Sequence, residues 1–313
     1  MGLTRSHVLV LSTAVCMSFI LIHSYALKTS GMSSLQQVLL RMAIATPLLA
    51  LLLGRKGTLR GLGRSDLRLL LSIGLVFSLF LFSALSAIAL GLPIAVAVAL
   101  VYTQPIFTAI FSALGRKEPL GLGEACIILL GTGGAILSTG LSPEELLHLK
   151  LGIGLVFGFL SGFLYALYLA LKRQLRERGY TPEQITISTF ATGLTITAIL
   201  SAALLLTIEG DPRLIGFTLP SAYQMALAAS FAIFSTAMPY TLLNYVRPED
   251  ISPASEGLLL LLDPALHVLW AYIIFGQAVG PWQYMGVVLI IMASAIFHLR
   301  RRVQNAPGGA ARI

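Results

Sequence analysis

Long apolar runs follow one another along almost the whole chain, and they constrain the fold more than any other feature. A run of about 17–25 apolar residues crosses a bilayer as an α-helix. Ten such runs, separated mostly by short segments rich in Gly, Pro or charge, lie at residues 7–28, 33–53, 68–91, 93–115, 120–139, 151–171, 183–208, 221–246, 251–275 and 281–299. The pattern predicts an all-α integral membrane protein with ten transmembrane helices.

The composition excludes a water-soluble fold of this length. Of the 313 residues, 57% are hydrophobic and 11% are charged, whereas a soluble domain carries about 25% charged residues. Since so few charges cannot cover a soluble surface, the surplus apolar surface is expected to face the lipid bilayer.

Basic residues are divided unequally between the two sets of connecting segments. With a cytoplasmic N-terminus, 17 of the 21 Lys and Arg residues, Lys172 among them, lie in cytoplasmic segments, and Arg41 lies inside a run. The outer segments hold only Lys28, Lys150 and Arg213. This asymmetry predicts that both termini are cytoplasmic, with a basic tail at 300–313. It also accounts for the net charge of +8 without a nucleic-acid partner.

The chain divides into two halves of five runs each, at 7–139 and 151–299. Each half carries a proline in the middle of its fourth run, in the pairs Gln104-Pro105 and Asp263-Pro264. Because five is odd, the second half must enter the membrane from the opposite side. The halves are therefore expected to be inverted repeats, a frequent design of transporters that places the binding site at the repeat interface.

The two mid-run prolines predict helix breaks near the membrane centre. Proline removes one backbone hydrogen bond, and in lipid the freed carbonyl group needs a partner or a wet cavity. Pro105 and Pro264 therefore point to a central cavity, with a static structural kink as the alternative.

Ionisable side chains inside the runs are few, because each costs about 2.5–3.5 kcal/mol on insertion scales. One face of the ninth run carries Glu256, Asp263, His267 and Trp270. Arg41 lies about 12 Å deep in the second run, one turn after Gln37. Either these residues line a solute path or its gate, or Arg41 forms a structural ion pair with Asp263 or Glu256. A further alternative for Glu256 is contact with cytoplasmic water.

Aromatic residues are grouped on a few helix faces and suit a cavity for an apolar or aromatic solute. The candidates for its lining are Phe77, Phe80, Tyr102, Phe157, Tyr165 and, on the same face as the last two, Ser161. In the eighth run Phe234, Met238, Thr241 and Tyr245 share a face in the same way. The alternative for each of them is packing or contact with lipid.

Glycine spacings predict close helix contacts. Gly154, Gly158 and Gly162 form GxxxGxxxG in the sixth run. Gly131, Gly133 and Gly134 in the fifth run suit packing against the tenth helix or a neighbouring subunit.

Two tandem five-helix halves, Arg41 in the second helix and mid-helix Pro105 and Pro264 resemble the EamA branch of the drug/metabolite transporter superfamily. The resemblance covers about residues 8–299, and within the branch the chain is most similar to YddG-type amino-acid exporters. That family often has Glu before the ninth-helix proline and an acid at the end of the fourth and ninth helices. Here these positions hold Asp263, Glu118 and Gln277, of which Gln277 departs from the pattern.

The resemblance implies a secondary transporter of the bacterial inner membrane that exports aromatic and other neutral amino acids, or similar small metabolites, by alternating access. A monomer or weak homo-oligomer is expected. The sequence has no Walker A motif, so ATP drive within this chain is not expected. Neither a cofactor nor a metal is expected, since the two cysteines form no cluster.

Other functions remain open on the sequence alone. The chain could export or import another metabolite or a drug. More distant alternatives are a channel and an intramembrane enzyme, because Ser161 lies in a segment that partly matches a serine-protease pattern.

Overall fold

The computed structural model describes residues 4–54, 66–92, 94–116, 121–140, 152–207, 211–275 and 278–304. Within these ranges all regular structure is helical, which confirms the all-α class there. The elements in chain order are α1 (Arg5–Met17), α2 (Ile20–Thr29), α3 (Ser34–Leu53), α4 (Leu67–Ala89), α5 (Ile94–Val101), α6 (Gln104–Arg116), α7 (Leu122–Ser138), α8 (Ile153–Glu177), α9 (Pro182–Thr207), α10 (Pro212–Ile215), α11 (Ala222–Ala232), a π-helical segment (Ile233–Ala237), α12 (Met238–Asn244), α13 (Pro253–Leu260), α14 (Leu262–Phe275) and α15 (Pro281–Gln304). Glu118, Gln277 and residues 305–313 of the tail lie outside the described residues.

Several of the described helices have the length and apolarity of membrane spans. Six qualify: Arg5–Thr29, Ser34–Leu53, Leu67–Ala89, Ile153–Glu177, Pro182–Leu204 and Ala222–Asn244. Shorter apolar helices occur at Val96–Phe111, Leu122–Ser138 and Pro281–Phe297. Large apolar side chains such as Leu51, Leu122 and Ile199 are exposed on the outside of the bundle, as expected for helices that face lipid. The count of ten spans stays a prediction, because breaks shorten several of the helices.

Two of the breaks lie within one helical turn before a proline. Between α5 and α6 the chain turns at Tyr102 and Thr103, and the Thr103 hydroxyl donates to the Leu100 carbonyl oxygen at 2.7 Å. Between α13 and α14 it turns at Leu261. Pro105 and Pro264 follow these turns because a proline lacks the N–H that would continue the helical bonding.

The helices pack so that the broken ones meet at the centre. α4 runs along α8 and α9, while α3 packs against α9 and α11. α6 contacts both α8 and α13, so the second part of one broken helix touches the first part of the other. α1 packs against α12, α13 and α14.

A glycine stripe on α8 receives the broken helix α5–α6. A methyl group added at Gly162 would lie 2.5 Å from the Leu100 carbonyl oxygen, and one at Gly158 would lie 2.4 Å from the Leu100 side chain. The predicted GxxxGxxxG contact is therefore present, and it brings α8 against the break.

A second close contact joins α7 to α15. A methyl group added at Gly134 would lie 2.8 Å from the Gly286 carbonyl oxygen, whereas one at Gly133 would meet nothing within 4 Å. Gly134 of the fifth run thus packs on α15, the predicted tenth helix, which was one of the two expected partners.

We expect Gly134→Ala to destabilise the protein by about 1–3 kcal/mol, because its methyl group would overlap backbone atoms that cannot move independently. Thermal unfolding of the purified protein, followed by circular dichroism in detergent, would report this as a lower melting temperature. Gly133→Ala is the matched control, and its better helix propensity should keep the melting temperature the same or raise it. Equal melting temperatures for the two variants would contradict the close α7–α15 contact.

Candidate functional site

A cavity lies beside the two breaks, at the centre of the bundle. Its volume is about 80 Å³, and apolar side chains make most of its wall. The residues that line it are Met17, Ile20, Arg41, Phe80, Leu81, Ala84, Leu85, Ile88, Ala97, Val98, Val101, Tyr102, Tyr240, Asp263 and His267. A largely apolar wall with a few polar groups is typical of small-molecule sites.

The cavity brings together part of the predicted site. Five of the predicted residues line it: Arg41, Phe80, Tyr102, Asp263 and His267. They come from α3, α4, the α5–α6 break and α14. Residues from both halves of the sequence, far apart along the chain, therefore line the same cavity.

Arg41 is a large, fully buried side chain of this wall, with 1% of its surface exposed. Its Nε donates to Oγ1 of Thr236 at 2.8 Å, and one terminal nitrogen, Nη2, donates to the Ser235 carbonyl oxygen at 3.3 Å. The guanidinium carbon lies 3.8 Å from the centre of the Phe231 ring, a cation–π contact. No carboxylate of the described residues lies within 4.0 Å of Arg41.

The partners of Arg41 belong to the π-helical segment between α11 and α12, in the eighth predicted span. Pro239 has no N–H, so the α-helical bond to the Ser235 carbonyl oxygen four residues earlier cannot form. Arg41 supplies a donor to that oxygen instead. The Thr236 hydroxyl donates to the Phe231 carbonyl oxygen at 2.9 Å, so its lone pairs remain available to Arg41. The predicted alternative of an ion pair from Arg41 to Asp263 or Glu256 is therefore wrong for this conformation.

Asp263 and His267 form a pair one helical turn apart on α14. The carboxylate oxygen Oδ1 of Asp263 lies 3.1 Å from Nδ1 of His267, but the ring nitrogen bonds to the Asp263 carbonyl oxygen at 3.0 Å. Consequently Oδ1 of Asp263 and Nε2 of His267 are buried and make no hydrogen bond with the described residues. The Tyr102 hydroxyl also interacts with the Asp263 carboxylate.

Glu256 is paired with a lysine that the charge pattern places outside the membrane. Lys172 on α8 forms an ion pair with Glu256 on α13 and donates to the Leu243 carbonyl oxygen at 3.2 Å. Only 4% of Lys172 is exposed. Lys172 therefore lies in a helix inside the bundle rather than in a connecting segment, because α8 continues to Glu177, and its place on the cytoplasmic side stays a prediction. Glu256 is itself largely buried but lines a second cavity together with Arg173 and the exposed Glu177, so its contact with cytoplasmic water stays a prediction.

An aromatic layer occupies the core next to the cavity. Phe80 stacks on Tyr165 with ring centres 4.7 Å apart, and Phe77 contacts Phe80, Tyr168 and Tyr240. Of the predicted aromatics, Phe80 and Tyr102 line the cavity itself, whereas Phe77 and Tyr165 are buried in this layer behind it.

The other predicted residues lie elsewhere. Gln37 lines a separate cavity together with Lys28 and accepts a hydrogen bond from Ser24 at 3.2 Å. Trp270 donates to the Ser18 hydroxyl at 2.7 Å, at the break between α1 and α2. Phe157 packs edge to face on Phe82.

Ser161 and one predicted aromatic face need correction. The Ser161 hydroxyl donates to the Gly158 carbonyl oxygen of its own helix at 2.6 Å and is fully buried, which does not suit a nucleophile. In the eighth predicted span Phe234 and Met238 are 57% and 46% exposed, whereas Tyr240 is buried. The predicted cavity face of this helix was thus wrong for Phe234 and Met238.

Three contributors to the site were not predicted from the sequence: Lys172, Thr236 and Tyr240. One signal could have indicated two of them, because Pro239 lies in the middle of the eighth run and predicts an irregular helix there. Lys172 carries no comparable signal. Among the described residues there is also no group of three His, Cys, Asp or Glu side chains that could hold a metal ion.

Comparison with curated proteins gives relatives that are named as transporters. A protein of Archaeoglobus fulgidus named as an uncharacterized transporter is 27% identical over 233 residues, which cover 74% of this chain and 77% of the relative. The threonine/homoserine exporter RhtA of Escherichia coli strain K12 is 27% identical over 203 residues, and that of Salmonella typhimurium strain SL1344 is 28% identical over the same length. These matches cover 64% of this chain and 61% of the exporters.

One solved crystal structure superimposes on almost the whole molecule. It has a TM-score of 0.69 and covers 96% of this chain and 100% of its own, at 18% sequence identity. Such a likeness establishes a shared fold.

The family comparison matches the chain twice. The model of the EamA-like transporter family matches residues 4–140 and again residues 152–299. The family and the named relatives point to a transporter rather than an enzyme. Because the two matches cover far more than half of its length, this chain belongs to the EamA-like transporter family.

Proposed function

We propose that this protein is a secondary transporter that exports neutral amino acids, aromatic ones among them, from the bacterial cytoplasm by alternating access. The observation that carries the proposal is the central cavity, where a buried Arg41 without a carboxylate partner among the described residues and the Asp263 carboxylate share an otherwise apolar wall. An Arg suits a substrate carboxylate, and the apolar wall suits an uncharged side chain. Export of amino acids is further supported by the relatives named as threonine/homoserine exporters.

The proposal includes ten spans arranged as two inverted halves of five, at 7–139 and 151–299. Two family matches of similar length support this division. Helix contacts support it as well, because α3 packs on α9, which are the second spans of the two halves, and α7 packs on α15, which are the fifth. In an inverted repeat the binding site is expected near the midplane between the halves.

The proposal assigns opposite sides of the cavity to opposite sides of the membrane. Leu85 and Ile88 line both the central cavity and the cavity around Lys28 and Gln37, which lies on the predicted outer side. On the predicted cytoplasmic side the Lys172–Glu256 pair joins α8 to α13. We therefore interpret this conformation as closed toward the cytoplasm, with the ion pair as part of the inner gate.

Purified protein in liposomes should release neutral amino acids, and it should release aromatic and small side chains faster than charged ones because the wall is mainly apolar. The measurement is efflux of radiolabelled amino acids from preloaded liposomes, with and without a pH gradient, beside protein-free liposomes. A panel of drugs and other metabolites runs in parallel. If no amino acid moves while another compound does, the substrate assignment is wrong although a transport function remains.

Arg41→Gln should lower amino-acid efflux at least about tenfold while the protein still folds, because one charge-assisted hydrogen bond contributes about 1.5–3 kcal/mol. Arg41→Lys keeps the charge but loses the two-nitrogen geometry, so an intermediate rate is expected. Arg173→Gln is the control, since Arg173 pairs with the exposed Glu177 on the helix surface. Size-exclusion chromatography checks folding, and normal efflux by a folded Arg41→Ala variant would contradict a role for Arg41 in transport.

Lys172→Met should destabilise the protein by roughly 3–5 kcal/mol, because it leaves the Glu256 charge buried and unpaired. Adding Glu256→Leu should restore stability, since both charges are then absent. If the pair closes the inner gate, the double variant should also speed the labelling of a cavity cysteine, Val98→Cys, by a membrane-impermeant thiol reagent from the cytoplasmic side. This experiment uses a Cys16→Ala/Cys126→Ala background. Unchanged labelling would assign the pair to stability alone.

A further inference from the structure

The polar groups of the central cavity are of two opposite kinds. Arg41 can only donate hydrogen bonds. Two of its nitrogens already bond to the neutral oxygens of Thr236 and Ser235, and within the described residues Nη1 makes no hydrogen bond. Removing a cation from water without a counter-ion is costly. The arginine side of the cavity is therefore suited to an anion.

The other polar side of the cavity consists of acceptors. The Nδ1 atom of His267 lies 3.0 Å from a carbonyl oxygen, which can only accept, so Nδ1 carries the hydrogen. In the neutral ring Nε2 is then an acceptor. Nε2 of His267 and Oδ1 of Asp263 are thus two buried acceptor atoms without a donor among the described residues. Such a pair suits a group with several N–H donors and a positive charge.

The two sides belong to different parts of the chain but lie close together. Arg41 is on α3 and the acceptors are on α14. Both sides line the same cavity, as does the buried Tyr240. The same wall carries apolar side chains, among them Leu81, Leu85 and Val98.

We propose that the cavity recognises both ends of a zwitterion: Arg41 binds the α-carboxylate, and Asp263 with His267 binds the α-ammonium group. The side chain of the substrate then lies against the apolar wall. This inference rests on the proposed function and sharpens it, because it requires both charged groups on one molecule. A carboxylic acid without an amine, or an amine without a carboxylate, satisfies only one end and leaves the other uncompensated.

The test compares the amino acid that the liposome panel shows to be carried fastest with two analogues that keep its side chain. For threonine these are 3-hydroxybutyrate, which lacks the amine, and 1-amino-2-propanol, which lacks the carboxylate. For leucine they are 4-methylpentanoate and 3-methylbutylamine. Isothermal titration calorimetry on the unmodified protein in nanodiscs should give an affinity for each analogue about 10- to 100-fold weaker than for the amino acid.

Two variants test the binding of the ammonium group and of the carboxylate separately. Asp263→Asn should weaken binding of the amino acid and of the amine about tenfold or more, but leave the carboxylic acid unaffected. Arg41→Gln should weaken the amino acid and the carboxylic acid but not the amine. Glu177→Gln, on the exposed surface, is the control and should change none of the three.

The outcomes distinguish the inference from the function on which it rests. If the unmodified protein binds an analogue as tightly as the amino acid, two-ended recognition is wrong, whereas amino-acid transport stands. Two-ended recognition is also wrong if a folded Asp263→Asn variant weakens all three ligands equally. If no amino acid is transported or bound, the proposed function itself fails. Since the analogue series needs no variant, the test holds even where a substitution prevents folding.

Discussion

The buried guanidinium group of Arg41 is the interaction on which the centre of the molecule depends. It lies between α3 and the π-helical segment, where Pro239 has left the Ser235 carbonyl oxygen without its helical donor. A bilayer interior offers no water to satisfy such an oxygen. The arginine therefore joins α3 to this segment and supplies the missing donor, and because both oxygen partners are neutral they do not compensate its positive charge. The same side chain donates a hydrogen bond to a backbone carbonyl oxygen and places a positive charge on the cavity wall.

Features that depend on local rules could be predicted from the sequence. The apolar runs predicted an all-helical chain, and the prolines predicted irregular helices at Pro105 and Pro264, because span length and the missing proline N–H depend on few neighbouring residues. The small-residue spacing of Gly158 and Gly162 likewise predicted a close contact. Arg41, Asp263 and His267 could be selected as candidates because ionisable groups inside apolar runs are rare.

Pairwise partners could not be predicted in the same way. Lys172 follows an apolar run, so the charge pattern assigned it to the cytoplasm. Its ion pair with Glu256 depends on the three-dimensional arrangement of two helices that lie far apart in the sequence. The orientation of Phe234 and Met238 depends on the π-helical segment, where the spacing along the helix differs from 3.6 residues per turn. The partner of Arg41 is Thr236 rather than an acid. This could be predicted only from the position of the π-helical segment relative to α3.

The contact between Trp270 and Ser18 makes it possible to monitor conformational changes by intrinsic fluorescence. Trp270 lies one turn from His267, its indole nitrogen is bonded at the break of the first helix, and its ring stacks on Phe19 with centres 5.2 Å apart. The chain has only one other tryptophan, Trp282. An indole fixed between a cavity-lining helix and a helix break is an intrinsic fluorophore whose emission depends on its hydrogen bond and its stacking. Replacing Trp282 by phenylalanine would leave a single native optical reporter beside the cavity, without any attached dye.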